Sequence, residues 1–196
     1  MLKSCCLLAS NLLISATLFA QVVAPGEGPW RGVPIWVGAQ FSTFNPDYGC
    51  GNNSAFACWS DHLDGISSYT FANHIYRTIG AEGEARLLNW GGPGIVFQTS
   101  YLAGPRMDFF HYKNVMLSPK LLLGKGQITL NHLYAGSGHY FVYAPGGVLD
   151  YRISRRIAAR VDYEYQNWPS FKGDGSGKGG LTPNGLSFGI SYMVLR

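Results

Sequence analysis

Acidic and basic side chains occupy every second position in several segments of the chain. The clearest example is Glu82, Glu84 and Arg86, and the segment RVDYEYQNW at 160–168 repeats the pattern. Clustered carboxylates can be tuned to donate or accept protons, so such a cluster is a candidate for acid–base chemistry. The competing interpretation, which we favour, is a structural ladder of ion pairs with nearly balanced charge.

The other candidate motifs do not indicate a specific metal, phosphate or nucleophile site. The five histidines lack a metal-ligand spacing such as HExxH, although His132 and His139 share one predicted loop. The string GDGSGKGG at 173–180 lacks the spacing of a phosphate-binding loop, and Pro183 follows it rather than a helix. No serine is predicted to lie in a Gly-x-Ser-x-Gly nucleophile elbow. We therefore predict no catalytic residue, no metal site and no cofactor.

The composition indicates a barrel, a membrane protein, or both. Only 13% of the 196 residues are charged, against about a quarter in a typical soluble domain. Glycine (26 residues) and aromatic side chains (14%) are abundant. The net charge of +4 comes from scattered lysines and arginines rather than a basic stripe, so no nucleic-acid partner is predicted.

The first residues are typical of an export signal. Lys3 is followed by an apolar run from Cys5 to Ala20, and polar residues interrupt that run. A transmembrane anchor is the alternative, but the run is short for one. We predict a signal peptide at 1–20, a linker at 21–33 and a single domain at 34–196.

Removal of that signal leaves Cys50 and Cys58 as the cysteines of the mature chain. A single close pair in an exported protein is expected to form a disulfide. Such a short loop would contribute about 2–3 kcal/mol to stability. Two cysteines without well-spaced histidines are too few to predict a zinc site.

Eight segments have the period-two pattern of β-strands. The connections between them alternate between long and short, which is typical of an antiparallel meander with turns at one end and loops at the other. Most segments are about as long as a tilted strand that crosses a bilayer. The prediction is an all-β, eight-stranded antiparallel up-and-down transmembrane β-barrel. The predicted strands are 34–44, 65–76, 80–90, 97–110, 115–130, 140–153, 157–168 and 185–196.

The charged face of these strands is predicted to point into the barrel. An eight-stranded barrel has room only for side chains or one small ligand, and the aromatic set would overfill it. Inward charges would nearly balance and pair, leaving Tyr163 and Tyr165 to contact lipid. The predicted interior ion-pair network is Glu82, Glu84, Arg86, Arg106, Asp108, Lys120, Asp150, Arg152, Arg160, Asp162 and Glu164.

At these residues the chain resembles a known family, the small outer-membrane β-barrel proteins of the OmpA/OmpX type. The resemblance lies in the strands at 82–86 and 160–165 and in the terminal pattern Gly189-x-x-Tyr192-x-Val194. It implies residence in the outer membrane, contact with membrane lipid, and a monomer. It also implies that periplasmic chaperones and the barrel-assembly machinery handle the chain during biogenesis.

Prolines and glycines interrupt three of the predicted strands. A closed barrel has no free edge where a missing N–H is harmless, so we expect a bulge or bend at 145–147. Strand ends or irregular pairing are expected near Pro105 and Pro119. Alternation also breaks at 124–126, where the fifth strand is expected to have left the bilayer.

Aromatic residues near the strand ends are predicted to form the interfacial girdles of a membrane barrel. They are Trp36, Tyr69, Trp90, Tyr101, Tyr140 and Trp168.

The functional hypothesis is a structural or interactive role: membrane integrity, surface adhesion or binding through the loops. An outer-membrane lipid-modifying enzyme, with a histidine and a serine near the outer leaflet, is the second hypothesis, although no signature supports it. A narrow pore and a soluble lipocalin-like carrier are further alternatives. Wide diffusive transport is disfavoured because eight strands leave no broad channel.

Overall fold

The structure is a computed structural model, and the residues that it describes are 32–47, 62–89, 96–130, 136–172 and 179–195. The signal peptide, most of the linker, and Cys50 and Cys58 lie outside these ranges. Export, cleavage and the disulfide therefore stay predictions. Within the described residues, no helix is long and apolar enough to cross a membrane.

The described chain forms eleven strands. They are β1 (Ile35–Asn45), β2 (Leu63–Tyr76), β3 (Ile79–Asn89), β4 (Val96–Met107), β5 (Phe110–Tyr112), β6 (Val115–Leu130), β7 (Gly136–Arg152), β8 (Ile157–Tyr165), β9 (Trp168–Lys172), β10 (Gly179–Leu181) and β11 (Asn184–Leu195).

Eight of these strands close into an antiparallel up-and-down barrel. Strands β1 to β4, β6, β7, β8 and β11 each pair with the preceding and following barrel strand. The barrel closes where β1 pairs with β11, from Ile35 opposite Leu195 to Asn45 opposite Asn184. Strand β5 adds three residues beside β6, and β9 and β10 form a separate hairpin. The predicted fold class is confirmed.

The prolines interrupt the hydrogen-bond ladders without shifting their register. A bulge or a bend was predicted at 145–147. Strand β7 pairs with β6 in one register through Leu121 opposite Pro145, so the bulge is wrong, and the bend stays a prediction. Instead, the β7–β8 ladder stops at Gly146 and reappears as a single bridge from Tyr143 to Asn167. Two residue pairs are therefore missing, at 145/165 and 144/166. Because proline lacks an N–H, leaving these pairings unmade keeps the side-chain alternation intact.

The other two prolines also lie at gaps in the pairing, as predicted. The β4–β6 ladder lacks pairs at Gly104 and Pro105 and ends at Arg106 opposite Lys120, one residue from Pro119. The glycines at 124–126 do not end β6, which continues in register to Leu130.

Most of the inward face of the barrel forms three layers, and Phe44, Leu63 and Leu88 form a further small apolar cluster near the longer connections. A charged layer occupies the middle, and it is described in the next section. The aromatic floor, near the short turns, consists of Trp36, Tyr69, Phe71 and Ala158. The apolar cap, near the longer connections, consists of Leu102, Leu122, Ile128, Val142, Ala144, Trp168 and Leu181.

The outward face is apolar. Large side chains such as Phe41, Ile66, Leu121, Phe141 and Ile190 are exposed along it. Tyr163 and Tyr165 lie on this face, as the alternation predicts. Such a belt is the surface that a membrane barrel turns toward lipid.

The girdle predicted for the aromatic residues is largely wrong. Trp36, Tyr69 and Trp168 are buried inside the barrel, and Tyr140 packs against Trp168. Tyr101 lies exposed on the outside, and Trp90 falls outside the described residues. Two of the misplaced residues face inward because glycines opposite them leave room: a Cβ at Gly38 would lie 2.4 Å from the Tyr69 ring, and one at Gly126 would lie 2.2 Å from the Trp168 ring.

Candidate functional site

The charged layer contains nine of the eleven residues predicted for the interior network. Each has less than a tenth of its surface exposed, and each forms an ion pair with another member. The layer contains four cations and five carboxylates, so it is nearly neutral. Its members are Glu82, Glu84, Arg86, Arg106, Lys120, Asp150, Arg160, Asp162 and Glu164.

Lys120 lies at the centre of the charged layer. Its Nζ is 2.6 Å from Oδ2 of Asp162 and 3.1 Å from Oε2 of Glu164. It is 3.3 Å from both Oε1 of Glu82 and Oε2 of Glu84. The carboxylates come from β3 and β8, which are not adjacent, and the lysine comes from β6. One ammonium therefore ties three strands together across the lumen.

Arg106 and Arg160 lie on the side of the charged layer that faces the aromatic floor. Arg106 donates from Nη1 to Oε2 of Glu82 at 3.0 Å and from Nη2 to Oδ2 of Asp150 at 2.8 Å. Arg160 donates to Glu82 and to Asp162. Their guanidinium carbons lie 4.2 Å from the Phe71 ring centre for Arg106 and 4.1 Å from the Tyr69 ring centre for Arg160. The floor thus stabilises these cations through the ring faces.

A hydrogen-bonded relay joins the charged layer to the apolar cap. Arg86 donates from Nη1 to Oε1 of Glu164 at 2.7 Å, and Gln166 donates to the same oxygen at 2.8 Å. The indole N–H of Trp168 then donates to Oε1 of Gln166 at 2.9 Å. Arg86 also lies over the Phe44 ring, 4.2 Å from its centre. The cap is therefore oriented by polar contacts as well as by packing.

Two predicted members of the network lie at its margin. Asp108 follows β4, accepts a hydrogen bond from Ser118, and contacts His74 at 3.1 Å. Arg152 ends β7 and is exposed, so its predicted place in the buried network is wrong. It faces the same side as Asp150 but extends past the end of the layer, where water surrounds a charge at no cost.

Three carboxylates of the charged layer are spaced like the ligands of a metal ion, but the ammonium of Lys120 lies among them. Oxygens of Glu82, Glu84 and Asp162 lie within 4.8 Å of one another, as metal ligands do. The ammonium of Lys120 contacts all three residues. A protein-borne cation neutralises the carboxylates, which favours the ion-pair ladder over a metal centre or an acid–base site.

Buried serines form a second polar cluster that the sequence analysis did not anticipate. Ser187 donates to Ser42 at 2.8 Å, and the hydroxyls of Ser42 and Ser67 are 3.2 Å apart. Ser187 lies in a Gly-x-Ser-x-Gly string, which marks the nucleophile elbow of some hydrolases. Here it lies within the straight strand β11 and faces the lumen. The alternation along β11 is the signal that would have found it.

A small cavity opens at the short-turn end of the barrel. Its volume is about 110 Å³, and Trp36 and Phe71 of the aromatic floor line it together with Asn73, Asp108 and Asp150. The floor therefore lies between this opening and the rest of the charged layer.

Comparison with solved structures shows the same fold in small outer-membrane barrels. Neisserial surface protein A matches with a TM-score of 0.54 at 14% identity, covering 82% of this chain and 96% of that one. Ail, the attachment invasion locus protein of Yersinia pestis, matches with a TM-score of 0.52 at 17% identity, covering 82% and 97%.

The outer membrane protein OprG from Pseudomonas aeruginosa matches with a TM-score of 0.54 at 11% identity, covering 84% and 97%. No protein-family model and no curated protein matches the sequence. The resemblance to small outer-membrane barrels of the OmpA/OmpX type is confirmed at the level of the fold.

Proposed function

We propose that this chain is an integral outer-membrane protein in which the barrel is a closed scaffold and the connecting loops carry the interactions. The observation that supports it most directly is the inversion of the barrel. Nine charged side chains are buried inside, while phenylalanine, tyrosine, leucine and isoleucine side chains cover the outside. In water this arrangement would expose a large apolar surface, whereas a bilayer buries it.

The packing of the lumen supports a structural role for the charged layer. Every carboxylate of the layer contacts at least one cation, and Lys120 alone contacts four. Trp36 and Phe71 lie on one side of the layer, and Trp168 lies on the other. A solute or ion would have to break several buried pairs in turn, which is costly because each separation leaves an uncompensated charge.

The narrow pore and the lipid-modifying enzyme are weaker alternatives. A pore needs a continuous polar path, and the apolar cap with its buried Trp168 is unsuited to provide one. The enzyme needs an accessible serine near a histidine. Ser187 is buried in the lumen and bonds to Ser42, while His139 is exposed on β7 and His132 lies outside the described residues.

Surface adhesion is the interaction that we consider first. The connections at 46–62 and 166–183 are the longest between barrel strands, and long loops on a rigid barrel are where such folds place their binding residues. Ail, one of the similar structures, is named for attachment and invasion. That name describes Ail, and the likeness alone supports only the shared scaffold.

Four measurements test the proposal. In lipid vesicles we expect a compact species on unheated gels that unfolds on boiling, and partition with the membrane after fractionation. In planar bilayers we expect no steady conductance. Cysteine substituted at Tyr163 should react with lipid-soluble but not with aqueous thiol reagents. A chain that stays in solution without detergent would instead support the lipocalin-like carrier.

A loop exchange tests the adhesion hypothesis separately. Residues 48–60 would be replaced by a short Gly/Ser linker, and a matched variant would carry a linker in place of 91–94. Binding of whole cells to a surface should fall for the first exchange and not for the second. Equal binding by both variants, with the barrel folded, would exclude this loop as the adhesive element.

A further inference from the structure

Three strands end at the short turns with an aromatic residue followed by a cation. Tyr76-Arg77 ends β2, Tyr112-Lys113 ends β5, and Tyr151-Arg152 ends β7. The two residues of each pair lie at the point where the apolar belt meets the turn. This repeat is not evident in the sequence, because its members are far apart in the chain and only the barrel brings them to one end.

The turns hold these cations at the edge of the belt. Tyr76 pairs with Ile79 and Tyr112 with Val115, so Arg77 and Lys113 each begin a two-residue turn. Both residues have positive φ, 54° and 52°, the conformation that tight hairpins require at this position. The same backbone geometry therefore recurs in two turns, each with a cation at the first position.

Tyrosine side chains accompany these cations on the outer surface. The Arg77 guanidinium carbon lies 5.5 Å from the Tyr76 ring centre, and Lys113 Nζ lies 5.3 Å from the Tyr112 ring centre. In the third turn, Arg156 donates to the hydroxyl of Tyr192 at 3.4 Å. All three tyrosines are exposed on the outer face. A cation beside a tyrosine at this level is well suited to a lipid phosphate, with the ring in the apolar region and the charge among the headgroups.

The charge at this end is strongly one-sided. We name the four exposed cations of its turns the cationic rim. The connections at this end, 77–78, 108–114 and 153–156, contain four lysines or arginines and one acidic residue, Asp108, which contacts His74 and Ser118. The connections at the other end, 46–62, 90–95, 131–135 and 166–183, contain three aspartates and two lysines. The rim residues are Arg77, Lys113, Arg155 and Arg156.

From this arrangement we infer that the cationic rim binds the phosphate groups of anionic glycerophospholipids in the leaflet at the short-turn end. The inference rests on the proposed function, since it needs the barrel to lie in a bilayer. It adds a lipid preference, and it takes the short-turn end to lie in the phospholipid leaflet, as is general for outer-membrane barrels. Cations near an anionic surface each change binding by up to about fivefold, and salt screens the effect.

The test uses the full chain refolded in phosphatidylcholine vesicles that contain a minor amount of spin-labelled lipid. Electron paramagnetic resonance measures the immobilised lipid around the barrel. We expect spin-labelled phosphatidylglycerol to be enriched over spin-labelled phosphatidylcholine by roughly three- to tenfold at low salt, and less at high salt. The variant R77Q/K113Q/R155Q/R156Q should reduce the enrichment to near one.

Two matched variants keep the test specific. R77K/K113R/R155K/R156K conserves the charge and should keep the enrichment. K125Q removes an exposed cation from the outer face of β6, away from the rim, and should also keep it. If K125Q lowers the enrichment as much as the rim variant, overall charge explains it and the inference is overturned.

The remaining outcomes separate this inference from the function on which it rests. If the chain inserts and unfolds on heating but shows no preference for phosphatidylglycerol, the inference about the cationic rim is overturned and the proposed function stands. A chain that does not insert overturns the proposed function itself. Vesicles that also contain lipopolysaccharide test the orientation: enrichment of lipopolysaccharide that depends on the rim residues would place this end in the other leaflet and overturn the inference.

Discussion

The charged layer and the apolar cap share the inward faces of β4, β6 and β7, and the cap adds Trp168 of β9 and Leu181 of β10. The two regions are stabilised in different ways. In the charged layer, Lys120 contacts four carboxylates, so each member depends on partners from several strands. In the cap, Trp168 fills space against Leu122 and Val142 and has one polar contact, to Gln166. Inward direction alone therefore does not decide how a lumen residue contributes to stability.

The two regions are expected to respond differently to substitution. Losing one member of the charged layer leaves opposite charges buried and unpaired, which a neighbour cannot relieve by moving. Losing part of the cap leaves a cavity whose cost depends on how far the surroundings collapse. Four substitutions, from the largest expected effect to the smallest, test this difference.

The substitution Lys120→Met should have the largest effect. It leaves four carboxylates in contact range without their shared cation, and we expect a loss of about 5 kcal/mol, the upper end for breaking a buried ion pair. Urea unfolding in lipid vesicles, followed by circular dichroism, measures it. The control Lys125→Met, on the exposed face of the same strand, should stay within about 0.5 kcal/mol of the wild type. Equal losses in both variants would show that the charged layer has no special role.

The substitution Trp168→Ala should cost somewhat less, about 3–4 kcal/mol, because it empties the centre of the cap. Trp168→Phe serves as the partner variant. It keeps most of the packing but removes the hydrogen bond to Gln166, so a loss of about 1 kcal/mol is expected. The same urea titration gives both values. A Trp168→Phe loss as large as that of Trp168→Ala would mean that the relay, and not packing, holds the cap.

The substitution Gly126→Ala tests how tightly the cap is packed. A Cβ at Gly126 would lie 2.2 Å from the Trp168 ring, so the ring must shift, at a cost of about 1–3 kcal/mol. At Gly147 a Cβ would have no atom within 4 Å, and Gly147→Ala should be nearly neutral. Thermal unfolding on gels compares the two variants directly. Indistinguishable midpoints would contradict the close packing of Trp168.

The smallest effect is expected for Ser187→Ala. It removes one hydrogen bond from the buried serine cluster, worth about 1 kcal/mol. The variant also separates a structural role from a catalytic one: barrel stability should fall slightly, while any lipid turnover by the refolded chain should be unchanged. Turnover that disappears with Ser187→Ala would revive the enzyme hypothesis.

The alternation of side chains allowed much of the barrel to be predicted. All eight barrel strands lie within a few residues of their predicted bounds, and nine charged residues lie inside as expected. A charged residue on a strand fixes which face is inward, since the other face is then apolar. The sequences of β3 and β8, which each carry three such residues, therefore determine which face of the strand points inward.

Strand β2 shows where this argument fails. Within 65–73 it has no charged residue, so both faces are acceptable by composition: Ile66 with small polar residues, or Tyr69 with Phe71. Hydrophobicity predicts that the face with Tyr69 and Phe71 points outward to lipid, yet the structure places this face inside the barrel. Pairing decides it, because Tyr69 lies opposite Glu84 and Phe71 opposite Glu82, and opposite residues share a face.

The chain's own pattern of alternating residues thus determined the number of strands, their antiparallel order and the polarity of the lumen, because a strand's period of two is a local property. Tertiary structure alone decided which carboxylates share Lys120, which rings face the arginines, and that Trp168 closes the cap. These contacts join strands far apart in sequence. They depend on the register of pairing and on glycines that leave room across the lumen, which no single segment records.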